Sequence, residues 1–329
     1  MDELEKIIAA AGPYRDYVLE ARKLYIELRL AQDPELRALY LKVIDNIAKT
    51  LEEIERRGSS TLSYRHLERV EQQLSRELRL LGEEFTDRTD RFLRLSVQAG
   101  SHTTRKITIQ GLKGARLDVA PYERAIVRVN QDAVRAMWAR NHKGMYLSDR
   151  IWKTTENAGD HIRNILREAV VSGESPIKTA QALQQYIREG QATSVQNFPQ
   201  LFERIKPPKD LAYEALRLAR TETTAAFGEG VLGAARTSPS ARGIQWMLSP
   251  SHPVYDICDV HANKDSGLGR GIYRVDEVPL YPPHPNCLCT LIPVHESPED
   301  FVDRLLKWQQ NPQSDRELEQ WYQDVYLAA

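Results

Sequence analysis

The chain has 329 residues, 41% of them hydrophobic, and a formal net charge of −1 at pH 7. This is enough apolar content for two or three buried cores and too even a charge for a general nucleic-acid binder. No apolar run approaches the ~20 residues needed to cross a bilayer, and the start MDELEKII is acidic where a signal peptide would be basic. The expectation is a protein made in a reducing cytoplasm, away from membranes, where paired structural disulfides are not the default.

Residues 1–100 read as a helical N-terminal region. Asp33, Pro34 and Glu35 form a helix-start signal, after which Leu36, Tyr40, Val43, Ile47, Leu51 and Ile54 recur at helical spacing until Gly58. A second long helix begins at Ser63 and carries Val70, Leu74, Leu78, Leu81 and Phe85. Charge-rich amphipathic helices of this kind suit a bundle or an assembly surface better than a catalytic frame.

Residues 101–206 read as a helical middle region interrupted by a β-hairpin over 105–119. Ile107 and Ile109 alternate on one arm, Leu117 and Val119 on the other, and Gly111 to Gly114 supply the turn. A helix then starts near Pro121. Residues 101–150 hold ten Lys and Arg against four acids, and on this helix Arg124, Arg128 and Arg135 lie within about 40° of one another at 100° per residue. Such a stripe is either a solvated face or a phosphate-tracking surface toward DNA.

From Leu147 a helix capped by Ser148 runs to Gly173, and Ser175 with Pro176 starts the next, toward Gly190. QATSVQNFP then reads as a linker. The helix over DLAYEALRLARTETTAAFGEG places Glu222 at the centre of its apolar face, where a carboxylate must be paired or hydrogen-bonded. It serves either as a catalytic acid or as a brace, and the lack of a second acid at a fixed offset favours the brace. Gly228, Gly230 and Gly233 match G-x-G-x-x-G, but a helix precedes them where a nucleotide site needs a strand. P-loop, G-x-S-x-G and H-E-x-x-H signatures are absent.

Residues 207–329 form a C-terminal module in which all three cysteines fall between Cys258 and Cys289, with His261 and His284 among them and His252 and His295 close on either side. Cys258 with His261 gives C-x-x-H, and Cys287 with Cys289 gives C-x-C, two short pairs able to close a tetrahedral zinc site, with His284 as the alternative nitrogen ligand. The competing readings are cysteines packed as small apolar residues, or a disulfide from Cys258. IQWML, GIYRV and CTLIPV supply strands, and helices over Pro298 to Trp308 and Ser314 to Tyr326 close the module. Its tail from Glu296 carries eight acids against three bases. The fold class is therefore mainly α: a helical body with one hairpin, plus a small α+β module held by a metal site.

ARTET on a helix, the aromatic strand, Asp256 near a cysteine, and PPHPNCLC before LIPV together resemble the Mu F-like minor head (head morphogenesis) proteins of tailed bacteriophages. The resemblance covers best Leu147 to Val294 and falls on Arg220, Thr221, Glu222, Asp256, Cys258, His284, Pro285, Asn286, Cys287 and Cys289. Two departures stand out: His261 where members often have a second cysteine, which suits metal and not a disulfide, and Leu288 where they often have arginine. The resemblance implies Arg220, Glu222, Asp256, His284 and Asn286 as structural bracing. It further implies a non-catalytic virion protein inside the capsid, bound to the portal protein, near scaffold, major capsid protein or packaged DNA, and acting in head assembly or DNA ejection. The rivals are a DNA-binding accessory protein and a nuclease- or transferase-type toxin of the kind fused to such modules. The short stretch after the module speaks against an appended toxin.

Overall fold

A computed structural model describes residues 3–249 and 254–329; His252 lies outside them. The described chain is 74% helical with a single three-stranded sheet, so the mainly α reading holds. Contacts divide it into two units, each assembled from separated segments: Met1–Leu30, Arg91–Ala139 and Arg220–Ala329 in the first, Ala31–Asp90 and Arg140–Ala219 in the second. This differs from three consecutive regions because three long helices contribute residues to both units.

Those helices are α2 (Arg15–Arg56), α3 (Tyr64–Gly114) and α9 (Tyr213–Thr237), and α2 follows a short α1 (Glu3–Ala11). Pro34 does not start a helix but sits inside α2, at the border of the two units. In a helix held by packing on either side, one missing N–H is tolerated.

The second unit is a helical body. Beside parts of α2 and α3 it contains α5 (Leu147–Ser172), α6 (Pro176–Glu189), α7 (Gln191–Asn197) and α8 (Pro199–Phe202). Leu36, Tyr40, Val43, Ile47 and Leu51 from α2, Val70, Leu74 and Phe85 from α3, and Ile151, Ile162 and Ile165 from α5 are all buried, as the helical period requires. Gly173 ends α5 with φ 68° and Ser175 Oγ accepts from Lys178 N at 3.3 Å to start α6, matching the expected signals. The α5 start differs: the Asp149 carboxylate accepts from Tyr146 N at 2.9 Å, so Tyr146 and not Ser148 is the cap. QATSVQNFP is helical in α7 and α8 and not a linker. Leu201 and Phe202 bury there, and Phe202 meets Tyr186 edge-on at 5.5 Å.

In the first unit the expected hairpin over 105–119 is absent, because α3 continues through it. Its glycines serve helix contact: a Cβ on Gly111 would lie 2.2 Å from the Phe301 ring and one on Gly114 2.6 Å from Val302, both on α11 (Pro298–Gln310). The alternating Ile107 and Ile109 were too short a run to distinguish the two periods, and the Thr108 hydroxyl, bonded to the Thr104 carbonyl at 2.9 Å, fits a helix interior. α4 (Ala120–Ala139) follows. α3 and α9 cross in close backbone contact at Gly100 and Gly230, where an added Cβ would fall 2.1 Å from the Phe227 carbonyl oxygen and 2.2 Å from that of Val97. Ser96 Oγ donates to the Thr223 carbonyl at 2.7 Å beside this crossing. The G-x-G-x-x-G match thus lies within α9, with Gly228 against Tyr281 and Gly233 against Val129.

The sheet order is β2-β1-β3, antiparallel throughout, from β1 (Ala241–Met247), β2 (Ile272–Tyr273) and β3 (Thr290–His295). Trp246 pairs with Leu291 and Gln245 with both Ile272 and Ile292. α10 (Ile257–Asn263) lies between β1 and β2; α11 and α12 (Arg316–Trp321), with a π-helical turn at Tyr322–Tyr326, close the module near the expected bounds.

At the end of β3, His295 is partly buried. Its Nδ1 meets Ser240 Oγ at 2.8 Å and its Nε2 meets Thr104 Oγ1 at 3.1 Å, with the Tyr14 ring edge-on at 5.9 Å. Burial, with Arg242 adding to it, pushes this imidazole down to about 3. Below its ordinary value of ~6.5 the unfolded chain takes up a proton that the folded ring refuses, so stability falls as pH drops, by roughly 1.4 kcal/mol per unit. Between pH 7.5 and 5.0 the native chain is expected to lose about 2 kcal/mol more than His295→Gln in urea melts. Equal losses would show that the ring is not held neutral.

Candidate metal centre

α10 begins at Asp256, whose Oδ1 accepts from Cys258 N at 2.6 Å while Asp259 Oδ2 accepts from Asp256 N at 2.8 Å. This reciprocal cap fixes Cys258 at the second helical position and turns its sulfur inward. The opposing side is the 284–289 loop. Asn286 adopts φ 58°, a left-handed conformation that asparagine tolerates, and its N–H donates to Thr221 Oγ1 of α9 at 3.2 Å. Burial alternates over the next residues as it does along an extended chain leading into β3: Cys287 and Cys289 are buried and Leu288 is 41% exposed. Tyr281 Oη, donating to the Cys289 carbonyl at 2.6 Å, fixes the end of the loop.

The three sulfurs converge inside an apolar core that includes Trp246, Tyr273 and Phe227. Cys258 Sγ lies 3.6 Å from Cys287 Sγ and 3.3 Å from His284 Nε2, and His284 Nε2 lies 3.2 Å from Asp256 Oδ2. Around an ion with ~2.3 Å metal–sulfur bonds, tetrahedral geometry puts two sulfurs about 3.8 Å apart and a sulfur and an imidazole nitrogen about 3.6 Å apart. A disulfide needs about 2.05 Å. The observed spacings are too long for a disulfide and close to those an ion would set, and none of the three cysteines is in a disulfide.

His284 Nδ1 lies 3.0 Å from the Pro285 carbonyl. A carbonyl only accepts, so Nδ1 carries the proton and Nε2 presents its lone pair to the sulfur and the carboxylate. With sulfur and carboxylate gathered on one nitrogen, the arrangement has the donor atoms a metal cation would take. The thiols carry the same message. Contacts with Cys287 and Cys289, then burial, push Cys258 up; at Cys287 the Cys258 contact lowers, but the Cys289 contact and burial outweigh it and the thiol stands at about 12. Neighbouring buried sulfurs resist sharing several negative charges without a cation. Cys258, Cys287 and Cys289, and Asp256, Cys258 and His284, are close enough to bind a metal ion.

His261, the first-choice nitrogen ligand on sequence, stays out of both groups. Its ring packs on Trp246 at 4.7 Å, its carbonyl accepts from Tyr273 Oη at 2.7 Å, and burial lowers its pKa. The alternative, His284, stands beside the Cys258 sulfur. His284 and Cys287 form H-x-x-C, the mirror of the C-x-x-H that drew attention to His261, and that spacing was the signal available in the sequence. Arg220 and the 2% exposed Glu222 lie on α9, next to Thr221, which receives the loop.

Cys258, His284 and Asp256 invite comparison with a nucleophilic triad. A triad engages the two ring nitrogens separately, one for the nucleophile and one for the acid; here sulfur and carboxylate share Nε2, and Cys258 is fully buried. The arginine stripe on α4 is also engaged: Arg124 Nε donates to the Ala329 backbone oxygen at 3.3 Å, an Arg128 guanidinium nitrogen to that of Ala328 at 3.2 Å, and Arg135 pairs with Asp132. No helix among the described residues is long and apolar enough to cross a membrane. No protein-family model, curated protein or solved structure matches the chain.

Proposed function

We propose that this chain is a portal-associated minor head protein of a tailed phage, structural and not catalytic, whose C-terminal module is built around one zinc ion held by Cys258, Cys287, Cys289 and His284. The observation that carries the reading is the 3.2 Å hydrogen bond from Asn286 N to Thr221 Oγ1. It joins the two stretches in which the resemblance lies, ARTET and HPNC, at the residue that precedes Cys287.

Zinc is the ion because three thiolates and an imidazole are soft and borderline donors, whereas calcium and magnesium take oxygen shells. Four protein ligands leave no position for water, which makes the ion a clamp between α10, the loop and β3 and not a Lewis acid. The sharing of one nitrogen by Cys258 and Asp256 supports the same conclusion. Asp256 acts from outside by capping α10, and the Pro285 carbonyl at Nδ1 orients the imidazole. Contact with packaged DNA is a lesser part of the proposal, since Arg124 and Arg128 already hold backbone oxygens.

Coexpression with the portal protein of the same phage tests the assembly role. The full chain is expected to co-elute with portal rings and to be found inside purified heads, with metal analysis giving one zinc per chain. Heads that never contain it would overturn the head-protein reading.

A further inference from the structure

We infer that Cys258 and Cys287 form an oxidisable pair, so that the junction of α10 with the HPNC loop is held by metal in a reducing compartment and by a disulfide in an oxidising one. The inference rests on the metal reading above and adds its regulation.

The geometry selects this pair. The two sulfurs lie 3.6 Å apart, and closing to a bond of about 2.05 Å asks for a shift of roughly 1.5 Å. Cys287 and Cys289 are two steps along an extended chain, with Cα atoms about 6.6 Å apart, at the outer limit for a disulfide. The Cys289 backbone is also held through its carbonyl by Tyr281, so the closing movement toward Cys258 falls to Cys287. The outer wall of the site is made by His284 and Asp256, whose side chains are 33% and 31% exposed, which gives a small oxidant a route to the Cys258 sulfur beside Nε2.

With hydrogen peroxide as oxidant the step balances. The two thiolates give up two electrons and join through one S–S bond. The peroxide O–O bond breaks and takes those electrons with two protons to leave two waters. The divalent cation departs, since Cys289 and His284 alone hold it poorly. A bond between Cys258 and Cys287, 29 positions apart, keeps the two walls of the site tied and restricts the unfolded chain. A protein made in a cytoplasm and stored in a particle outside it passes from one regime to the other.

The test uses the full chain loaded with zinc and treated with graded hydrogen peroxide, following released ion with a chromogenic chelator, free thiols by titration and linkage by peptide mass spectrometry. The expected result is loss of two of the three thiols for each ion released, one linked peptide joining Cys258 to Cys287, and full reversal by a dithiol reductant with added zinc. Oxidation to sulfinic acids, or linkage through Cys289, overturns the inference and leaves the metal reading standing. A chain carrying no ion before peroxide is added overturns the metal reading and the inference with it.

Discussion

Cys287→Ser is expected to empty the metal centre and unfold the C-terminal module around it. The size of the effect separates the two accounts of the cysteines. If they were apolar filling, a buried hydroxyl in place of a thiol would cost about 1–3 kcal/mol, and the module would stay folded at room temperature. If they clamp zinc, the substitution removes a share of a binding free energy on the order of 10 kcal/mol that is also folding free energy, more than a domain's usual margin. Bound zinc should fall from one per chain toward zero, and limited proteolysis should open the 257–294 segment while the core of α2, α3 and α5 in the second unit stays protected. A chelator should do the same to the native chain. A folded, protease-resistant, metal-free Cys287→Ser protein would refute the metal reading.

The second large effect is expected at the crossing of α3 and α9. In an ordinary exposed helix, Gly→Ala stabilises by about 1 kcal/mol. At Gly100 and Gly230 the new methyl would meet main-chain oxygens at 2.1 and 2.2 Å, and no side-chain rotation removes a backbone atom. The helices must move apart, stretching the Ser96 bond to Thr223 and the 2.7 Å contact of Tyr25 with Thr224. Each substitution should cost about 3 kcal/mol, at the upper end of overpacking penalties. Gly233→Ala is the internal comparison, because its methyl would meet only a Val129 methyl group at 2.8 Å, which can yield. Urea midpoints should place Gly100→Ala and Gly230→Ala well below the native chain and Gly233→Ala close to it. Equal midpoints for all three would show that the close crossing does not constrain the fold.

Legibility of the fold followed from how many turns a pattern spans. The helices over Leu36 to Ile54 and Val70 to Phe85 repeat their apolar positions often enough to exclude a strand, and those residues are buried. The segment from Ile107 to Val119 offered only two alternations on each arm. What decides it is Phe301 and Val302, nearly 190 positions away, filling the space over Gly111 and Gly114; no local pattern carries that information. Pro34 misled for a related reason, since a proline is a helix start only where nothing on its other side continues the helix.

The site was legible in its residue types and not in its pairing. Cysteines crowded into one stretch pointed to soft-ligand chemistry, and Cys258, Cys287 and Cys289 do converge. Which histidine lies beside them depends on Trp246, which packs against the His261 ring, and on the 284–289 loop, which sets His284 beside the Cys258 sulfur. Both are tertiary facts. The burial of Glu222 followed from its place on the apolar face of its helix and is met at 2% exposure.

The exposed Leu288 between two buried cysteines has a consequence for spacing. Because an extended chain repeats every two residues, the interval between the two thiols obeys a parity rule. One residue added or removed there would swing the second sulfur to the outer side, as a register slip does in any strand, whereas the single intervening position can change identity freely because it looks outward. The leucine at that position therefore leaves the inward side of the loop as it is and alters only the face that the module turns to its surroundings.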